Sequence, residues 1–259
     1  IVVQRANFVH KSGVLFELNI GPQKQIFQMA NAELFRSVVA LGILFTAFMF
    51  FLGISFFFPH RKRFLWFSLA CLALGIRNSF VSPKPVMILF PNLNWYFGHK
   101  LECCSMILAY LFMMLFYNSV FFNVVPKAMR ILGYALCAAG IGLYMLLPST
   151  VYSYVTQTAV YIIAVYLIFY ASFFIVGLVR KKVIMRNNAR ILMAVGVVIT
   201  ILCSLTDEIL YRKTADYNIS QIGMLIFIFL TALALAIQMR EAEDALDEAT
   251  AREKQMRQM

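Results

Sequence analysis

Long apolar runs alternate with short polar connections along most of the chain. Seven runs have about the 20 residues that a helix needs to cross about 30 Å of hydrocarbon. They cover residues 37–58, 64–82, 101–122, 131–148, 154–179, 190–210 and 219–239. Arg77 interrupts the second run, and Gly133, Gly140 and Gly142 lie in the fourth, so these two show the weakest pattern. The sequence predicts an all-α membrane protein in which residues 31–239 form a seven-transmembrane helix bundle.

The beginning of the chain follows a different period. Phe16, Leu18 and Ile20 alternate with polar residues, a pattern typical of a half-buried β-strand. Two short strands are not stable alone, because they cannot bury a core. We therefore expect residues 1–30 to be the closing strands and linker of a β domain. The rest of that domain would lie upstream, in a longer protein of which this chain is a piece.

The end of the chain is a charged, helix-favouring segment, residues 240–259. Its apolar positions alternate at spacings of three and four, with one position skipped at Glu253. These seam positions are Met239, Ala242, Leu246, Ala249 and Met256. The segment continues from the seventh span without a helix breaker. This favours a cytoplasmic coiled coil that joins two copies of the chain in parallel, and the alternative is a solvated helical tail.

Composition and charge support a membrane protein. The chain is 62% hydrophobic and 14% charged, whereas soluble domains have about 25% charged residues. A disordered chain and a soluble nucleic-acid binder are excluded despite the net charge of +11. The connections after spans one, three and five hold nine Lys and Arg residues, against four after spans two, four and six. Basic loops stay inside, so we expect a cell-membrane protein with its N-terminus outside and its C-terminus in the cytoplasm.

The residues that enzymes and cofactors need are not found together. The three histidines, His10, His60 and His99, lie outside the predicted spans, so a zinc site within the membrane is not expected. The last span has no Lys for a retinal Schiff base, and no phosphate-binding or dinucleotide motif is present. The five cysteines lie in apolar runs and are interpreted as packing residues. We expect no metal, no cofactor and no catalytic site in this chain.

Four ionisable residues lie within or at the ends of spans, all toward the predicted outer leaflet: Arg77, Glu102, Asp207 and Glu208. Arg77 would sit about 20 Å from the inner boundary of the hydrocarbon. An unpaired guanidinium near the bilayer centre costs on the order of 2.5–3.5 kcal/mol. We expect Arg77 to pair with Asp207, or failing that with Glu102, in an outer cavity that receives a ligand or holds one signalling state. The alternative is that these side chains reach the interface or are solvated at helix ends.

The order of these parts resembles a known family, the bacterial seven-transmembrane receptors with diverse intracellular signalling modules. In that family an extracellular jelly-roll domain ends in a Val-x-Asn-Phe strand and an Ile/Leu-Gly turn before the first span. The matching segments are Gln4-Arg-Ala-Asn-Phe8, Ile20-Gly21, Arg36 to Gly42, Asp207-x-x-x-Tyr211, and Ala232 to Arg240 leading into Ala242-Glu243. Arg5 and Lys11-Ser-Gly13 depart from the usual residues.

The resemblance implies a receptor with three parts. A sensor outside the cell would bind a ligand such as a carbohydrate. An output domain after Met259 would be a histidine kinase of a two-component system, a diguanylate cyclase or a phosphatase. This chain would couple the two as the transmembrane module. The rival interpretation is a small-solute transporter, although the predicted spans lack the proline-broken helices typical of that class.

Overall fold

The computed structural model describes a helical chain in two compact units, Ile1–Gly177 and Leu178–Met259. The described residues are 21–57, 62–81, 84–120, 124–148, 151, helical positions scattered from 162 to 176, 187–210 and 219–258. The helices are α1 Gln23–Phe57, α2 Lys62–Phe80, α3 Pro85–Leu89, α4 Trp95–Val120, α5 Lys127–Leu146, α6 Asn187–Leu210 and α7 Ile219–Gln258. This part of the chain contains no strand. The predicted strands of residues 1–20 lie outside it.

Three helices are long and apolar enough to cross a membrane: Gln23–Phe57, Tyr96–Val120 and Lys127–Leu146. They contain most of the first, third and fourth predicted spans. The second span corresponds to α2, and α6 and α7 contain the shorter apolar stretches Ile191–Thr200 and Ile222–Ile237. Most of the fifth span lies outside the described residues. Its described positions between 162 and 176 are helical and are called the Tyr166 segment below.

Two helix starts differ from the prediction. Helix α1 begins at Gln23, inside the predicted linker, because residues 23–36 are mostly good helix formers without Gly or Pro. Helix α4 begins at Trp95, where Asn94 caps it by accepting a hydrogen bond from the Tyr96 backbone N–H over 2.9 Å. The proline-rich connection before α4 also contains the short helix α3. Hydropathy detects apolar length, so it missed these polar helix ends.

Aromatic side chains hold α1, α2 and α4 together in the first unit. The Phe51 ring of α1 packs edge-on against Phe67 of α2, with 4.8 Å between centroids. Phe67 also contacts Phe116 of α4, with 5.1 Å between centroids. All three rings are buried. Since Phe67 lies near the start of α2 and its partners lie near the ends of α1 and α4, α2 runs antiparallel to both neighbours, as successive membrane spans do.

Helix α5 packs against α4 along a stripe of four buried residues: Gly133, Cys137, Gly140 and Tyr144. Their spacing of four, three and four places them on one helix face. A Cβ atom at Gly140 would come within 2.8 Å of the Ile107 side chain. Small residues that let two backbones approach are characteristic of helix contacts in membranes. The glycines that weakened the predicted fourth span therefore form its packing face.

The second unit is a pair of antiparallel helices. Gly196 of α6 faces Phe227 of α7, and Gly223 of α7 faces Cys203 of α6, where an added Cβ atom would lie 2.7 Å from the sulfur. Helix α7 then continues unbroken to Gln258, 40 residues in all. The predicted continuity from the seventh span into the charged tail is confirmed. At about 1.5 Å per residue, this helix is about 60 Å long.

Candidate functional site

Helix α4 carries a polar cluster near each end. The His99 cluster lies near its beginning and comprises Arg77, His99, Glu102, Cys103 and Tyr144. The Asn118 cluster lies near its end and comprises Asn118, Tyr134, Tyr166 and Tyr170. Asn118 follows His99 by 19 residues, which corresponds to about 28 Å along a helix. This separation is close to the thickness of the hydrocarbon core, about 30 Å. The two clusters are therefore one membrane thickness apart.

The central contact of the His99 cluster joins two residues of α4. His99 Nδ1 lies 3.3 Å from Glu102 Oε2, and the two side chains are 19% and 29% exposed. Residues three apart lie on the same face of a helix, which brings these groups together. The sequence analysis placed His99 outside the third span, which is wrong because α4 begins at Trp95. His99 therefore became a candidate site residue only with the structure.

Arg77 lies in the last turn of α2, half-buried, on the side of α4. It interacts electrostatically with the Cys103 thiol, as does Glu102, and the Tyr144 side chain forms a hydrogen bond with that thiol. Residues of α2, α4 and α5 thus meet at this depth. Among the described side chains, Arg77 forms no ion pair. The predicted Arg77–Glu102 pair is absent from this structure because Glu102 contacts His99, its neighbour on the same helix.

The two acidic candidates of α6 lie in the second unit. Asp207 and Glu208 belong to the last turn of α6, Asn187–Leu210, and their side chains lie outside the described part of the chain. The predicted pairing of Arg77 with Asp207 therefore stays a prediction.

Lys100 joins the beginning of α4 to the end of α5. Its Nζ donates a hydrogen bond to the Met145 carbonyl oxygen over 3.0 Å, and it lies 4.8 Å from the centroid of the Tyr96 ring. A lysine near the last turn of a helix stabilises the negative end of the helix dipole. This exposed contact fixes one end of the α4–α5 pair.

The Asn118 cluster links three elements by hydrogen bonds. The Asn118 Nδ2 donates to the Tyr134 hydroxyl of α5 over 2.8 Å, and the Tyr170 hydroxyl donates to Asn118 Oδ1 over 3.3 Å. The Tyr166 hydroxyl donates to the Met129 carbonyl oxygen of α5 over 2.9 Å. Tyr166 and Tyr170 are buried and lie one helical turn apart, with 6.0 Å between ring centroids.

Gly133 makes room for this arrangement. A Cβ atom there would overlap the Tyr166 hydroxyl and lie 2.8 Å from the Met114 sulfur. The sequence analysis missed this cluster because it searched for ionisable groups, and these side chains are uncharged. The available signal was one Asn and three Tyr within apolar runs, where each polar group needs a hydrogen-bond partner.

The seam of the C-terminal helix is described only in part. Met239 is half-buried and Met256 is 70% exposed. Ala242, Leu246 and Ala249 belong to α7, but their side chains lie outside the described ones. On another face, Arg252 lies 3.5 Å from Glu248 in an exposed ion pair. The predicted coiled coil stays a prediction.

The described residues include no group of three or more His, Cys, Asp or Glu side chains that could hold a metal ion. All five cysteines are free, and four of them are buried. Cys137 and Cys103 lie at the α4–α5 contact described above, so these thiols occupy packing positions.

Comparison with known proteins identifies the family. The family model described as 7TM diverse intracellular signalling matches residues 33–238, more than three quarters of the chain. The match begins within α1 and ends within α7, so it covers both polar clusters. No curated protein and no solved structure matches the chain. The resemblance found in the sequence is confirmed, and the chain, a transmembrane signalling receptor module, belongs to the 7TM diverse intracellular signalling family.

Proposed function

We propose that this module couples a ligand sensor outside the cell to an output domain in the cytoplasm of a bacterium. The family membership supports a signalling role. By the family resemblance, the sensor is a jelly-roll domain for a ligand such as a carbohydrate. The output is a histidine kinase, a diguanylate cyclase or a phosphatase. The basic connections support a cell-membrane orientation with the C-terminus inside.

The observation that carries this proposal is the continuity of α7. Residues 219–239 are apolar and extend about 30 Å, enough to span the hydrocarbon. The same helix then continues through charged residues to Gln258, for nearly the same length again. A helix without a break transmits rotation, tilt or translation from its membrane half to its tail. Helix α7 is therefore the element that carries a change in the bundle to the output domain.

A second copy of the chain completes the proposed transmission element. The seam positions bury apolar surface only against a partner helix, and Met256 is 70% exposed in the single chain. Three of the apolar groups are small or flexible, so the tails associate weakly. Weak association suits a switch, because a ligand shifts two states only as far as its affinities for them differ.

The input side of this proposal involves the polar residues of α2, α4 and α6. Arg77, Glu102, Asp207 and Glu208 form a polar network near the outer membrane boundary, which receives a small ligand or holds one signalling state. The half-buried Arg77 and the His99–Glu102 contact support this role. Together they offer charged and uncharged hydrogen-bonding groups at a depth where few other partners exist.

An insertion series tests the coupling. One to seven alanines are inserted after Arg240 in the intact receptor, and output activity is measured in membranes. Each inserted residue rotates the tail by about 100° relative to the bundle, whereas seven restore the seam to within about 20°. We expect output to depend on helical phase, with the seven-residue insertion close to wild type.

Matched controls keep the result specific. The same alanines inserted after Met259 leave the seam in register with the bundle and test chain length alone. Output that is indifferent to phase in the first series contradicts the proposal. Solute uptake into proteoliposomes by the chain alone would favour the transporter instead.

A further inference from the structure

The Asn118 cluster is a polar contact in an apolar setting, with a defined direction. The side-chain amide of Asn118 uses its nitrogen for Tyr134 on α5 and its oxygen for Tyr170 on the Tyr166 segment. One residue of α4 therefore joins two other elements at the same level. In a hydrocarbon environment each of these groups would otherwise lack a hydrogen-bond partner. Such a contact favours one arrangement of the three helices over others.

The contacts within the cluster differ in how firmly they are held. Tyr166 is confined on several sides, by the Met129 carbonyl, by Met114 and by the absent side chain at Gly133. The bond between Tyr170 and Asn118 is the longest hydrogen bond between oxygen or nitrogen atoms in the cluster, at 3.3 Å. Tyr166 therefore acts as a fixed contact, and the Tyr170–Asn118 bond is the one that breaks first when the Tyr166 segment moves.

We propose that Asn118, Tyr134 and Tyr170 form a hydrogen-bonded latch that stabilises one of the two signalling states of the bundle. The inference rests on the proposed coupling function, since it assumes that two states exist. In the latched state α4, α5 and the Tyr166 segment are held together. In the other state the Tyr170–Asn118 bond is broken, and the Tyr166 segment turns about the Tyr166 contact.

The test uses substitutions that remove single polar groups and keep the packing. Tyr170→Phe and Tyr134→Phe each remove one hydroxyl, and Asn118→Leu removes the amide at similar volume. Tyr110→Phe is the matched control, because Tyr110 is half-buried on the same helix and forms no hydrogen bond with the described residues. Output of the intact receptor is measured in membranes without added ligand, together with the thermal midpoint in detergent.

We expect the three latch variants to change ligand-free output about three- to fifteenfold, the range of single hydrogen bonds between helices in membranes. All three shift output in the same direction, and Asn118→Leu with Tyr170→Phe changes it no further than Asn118→Leu alone. Tyr110→Phe leaves output within about twofold of wild type. Lower thermal midpoints with unchanged output would show that the cluster is structural and would overturn the latch.

Failure of the latch and failure of the coupling proposal are distinguishable. If output varies with helical phase in the insertion series but not among the latch variants, only the latch is wrong. If output is indifferent to both, the coupling proposal itself fails. An equal change in Tyr110→Phe also overturns the latch, since it would reflect general loosening of α4.

Discussion

The close approach of α5 to its neighbours at Gly133 leads to a sharp prediction about Gly133→Ala. The new methyl group would overlap the Tyr166 hydroxyl and crowd the Met114 sulfur at 2.8 Å. Two responses are available to the protein. Either Tyr166 moves and loses its hydrogen bond to the Met129 carbonyl, or α5 moves away from α4 and opens the stripe around Cys137. Both responses lower the stability of the folded bundle.

The size of the effect follows from opposing contributions. Overpacking a close contact costs about 1–3 kcal/mol, and loss of one hydrogen bond between membrane helices costs about 0.6 kcal/mol. Replacing Gly by Ala in a helix returns about 1 kcal/mol. The net destabilisation is roughly 0.5–2.5 kcal/mol. Gly142→Ala is the matched control, because nothing lies within 4 Å of its Cβ position.

Since both variants share the gain in helix propensity, their difference isolates the overlap, at about 1.5–3.5 kcal/mol. The assay is thermal unfolding of the purified protein in one detergent, where 1 kcal/mol corresponds to about 2–4 °C for chains of this size. We expect Gly133→Ala to unfold at least about 3 °C below Gly142→Ala. The gap should narrow in a Tyr166→Phe background, because the overlapping hydroxyl is gone. Equal midpoints for the two alanine variants would refute the close approach at Gly133.

Three further predictions concern orientation, transmission and input. A cysteine replacing Lys213 should react with an impermeant thiol reagent in intact cells, whereas one replacing Lys181 should not; the reverse result overturns the orientation. Leu246→Asp should uncouple output from input and leave membrane insertion intact, because it places a charge in the seam; normal signalling would count against the coiled coil. Arg77→Ala and Asp207→Ala should each impair stability and signalling and together be no worse than either alone; strictly additive losses would show that the two residues do not interact.

The helices of this protein were predictable where apolar length alone defines them. The runs that became α1, α2, α4, α5, α6 and α7 are visible in the sequence because a helix in a membrane needs an apolar surface on most sides. Their polar ends were not visible in the same signal. Residues 23–36 and the first turns of α4 are helical through intrinsic propensity and the Asn94 cap, and neither contributes to hydropathy.

The candidate site was predictable only as a list of residue types. Arg77 and Glu102 were chosen as charges in an apolar setting, and the structure places both near Cys103. Their pairing could not be predicted, because it depends on how α2 and α4 are rotated, and the competing partner His99 was assigned to a loop. The Asn118 cluster escaped because hydrogen-bonding residues without charge hardly alter the hydropathy of a run. The glycines at 133 and 140 carried information that a hydropathy scale counts only as weakness.

The distribution of contacts along α4 indicates which parts of the first unit move together. Helix α5 is joined to α4 at one end by Lys100 and at the other by Asn118, with the buried glycine stripe between them. Two helices held at both ends and packed closely between them behave as one rigid body. Within the described residues, the side-chain hydrogen bonds of the Tyr166 segment to α4 and α5 come from Tyr166 and Tyr170 alone, at one end of α4. A body attached at one end pivots more easily than one attached at two, so the Tyr166 segment is the element on which a small change in hydrogen bonding has the largest mechanical effect.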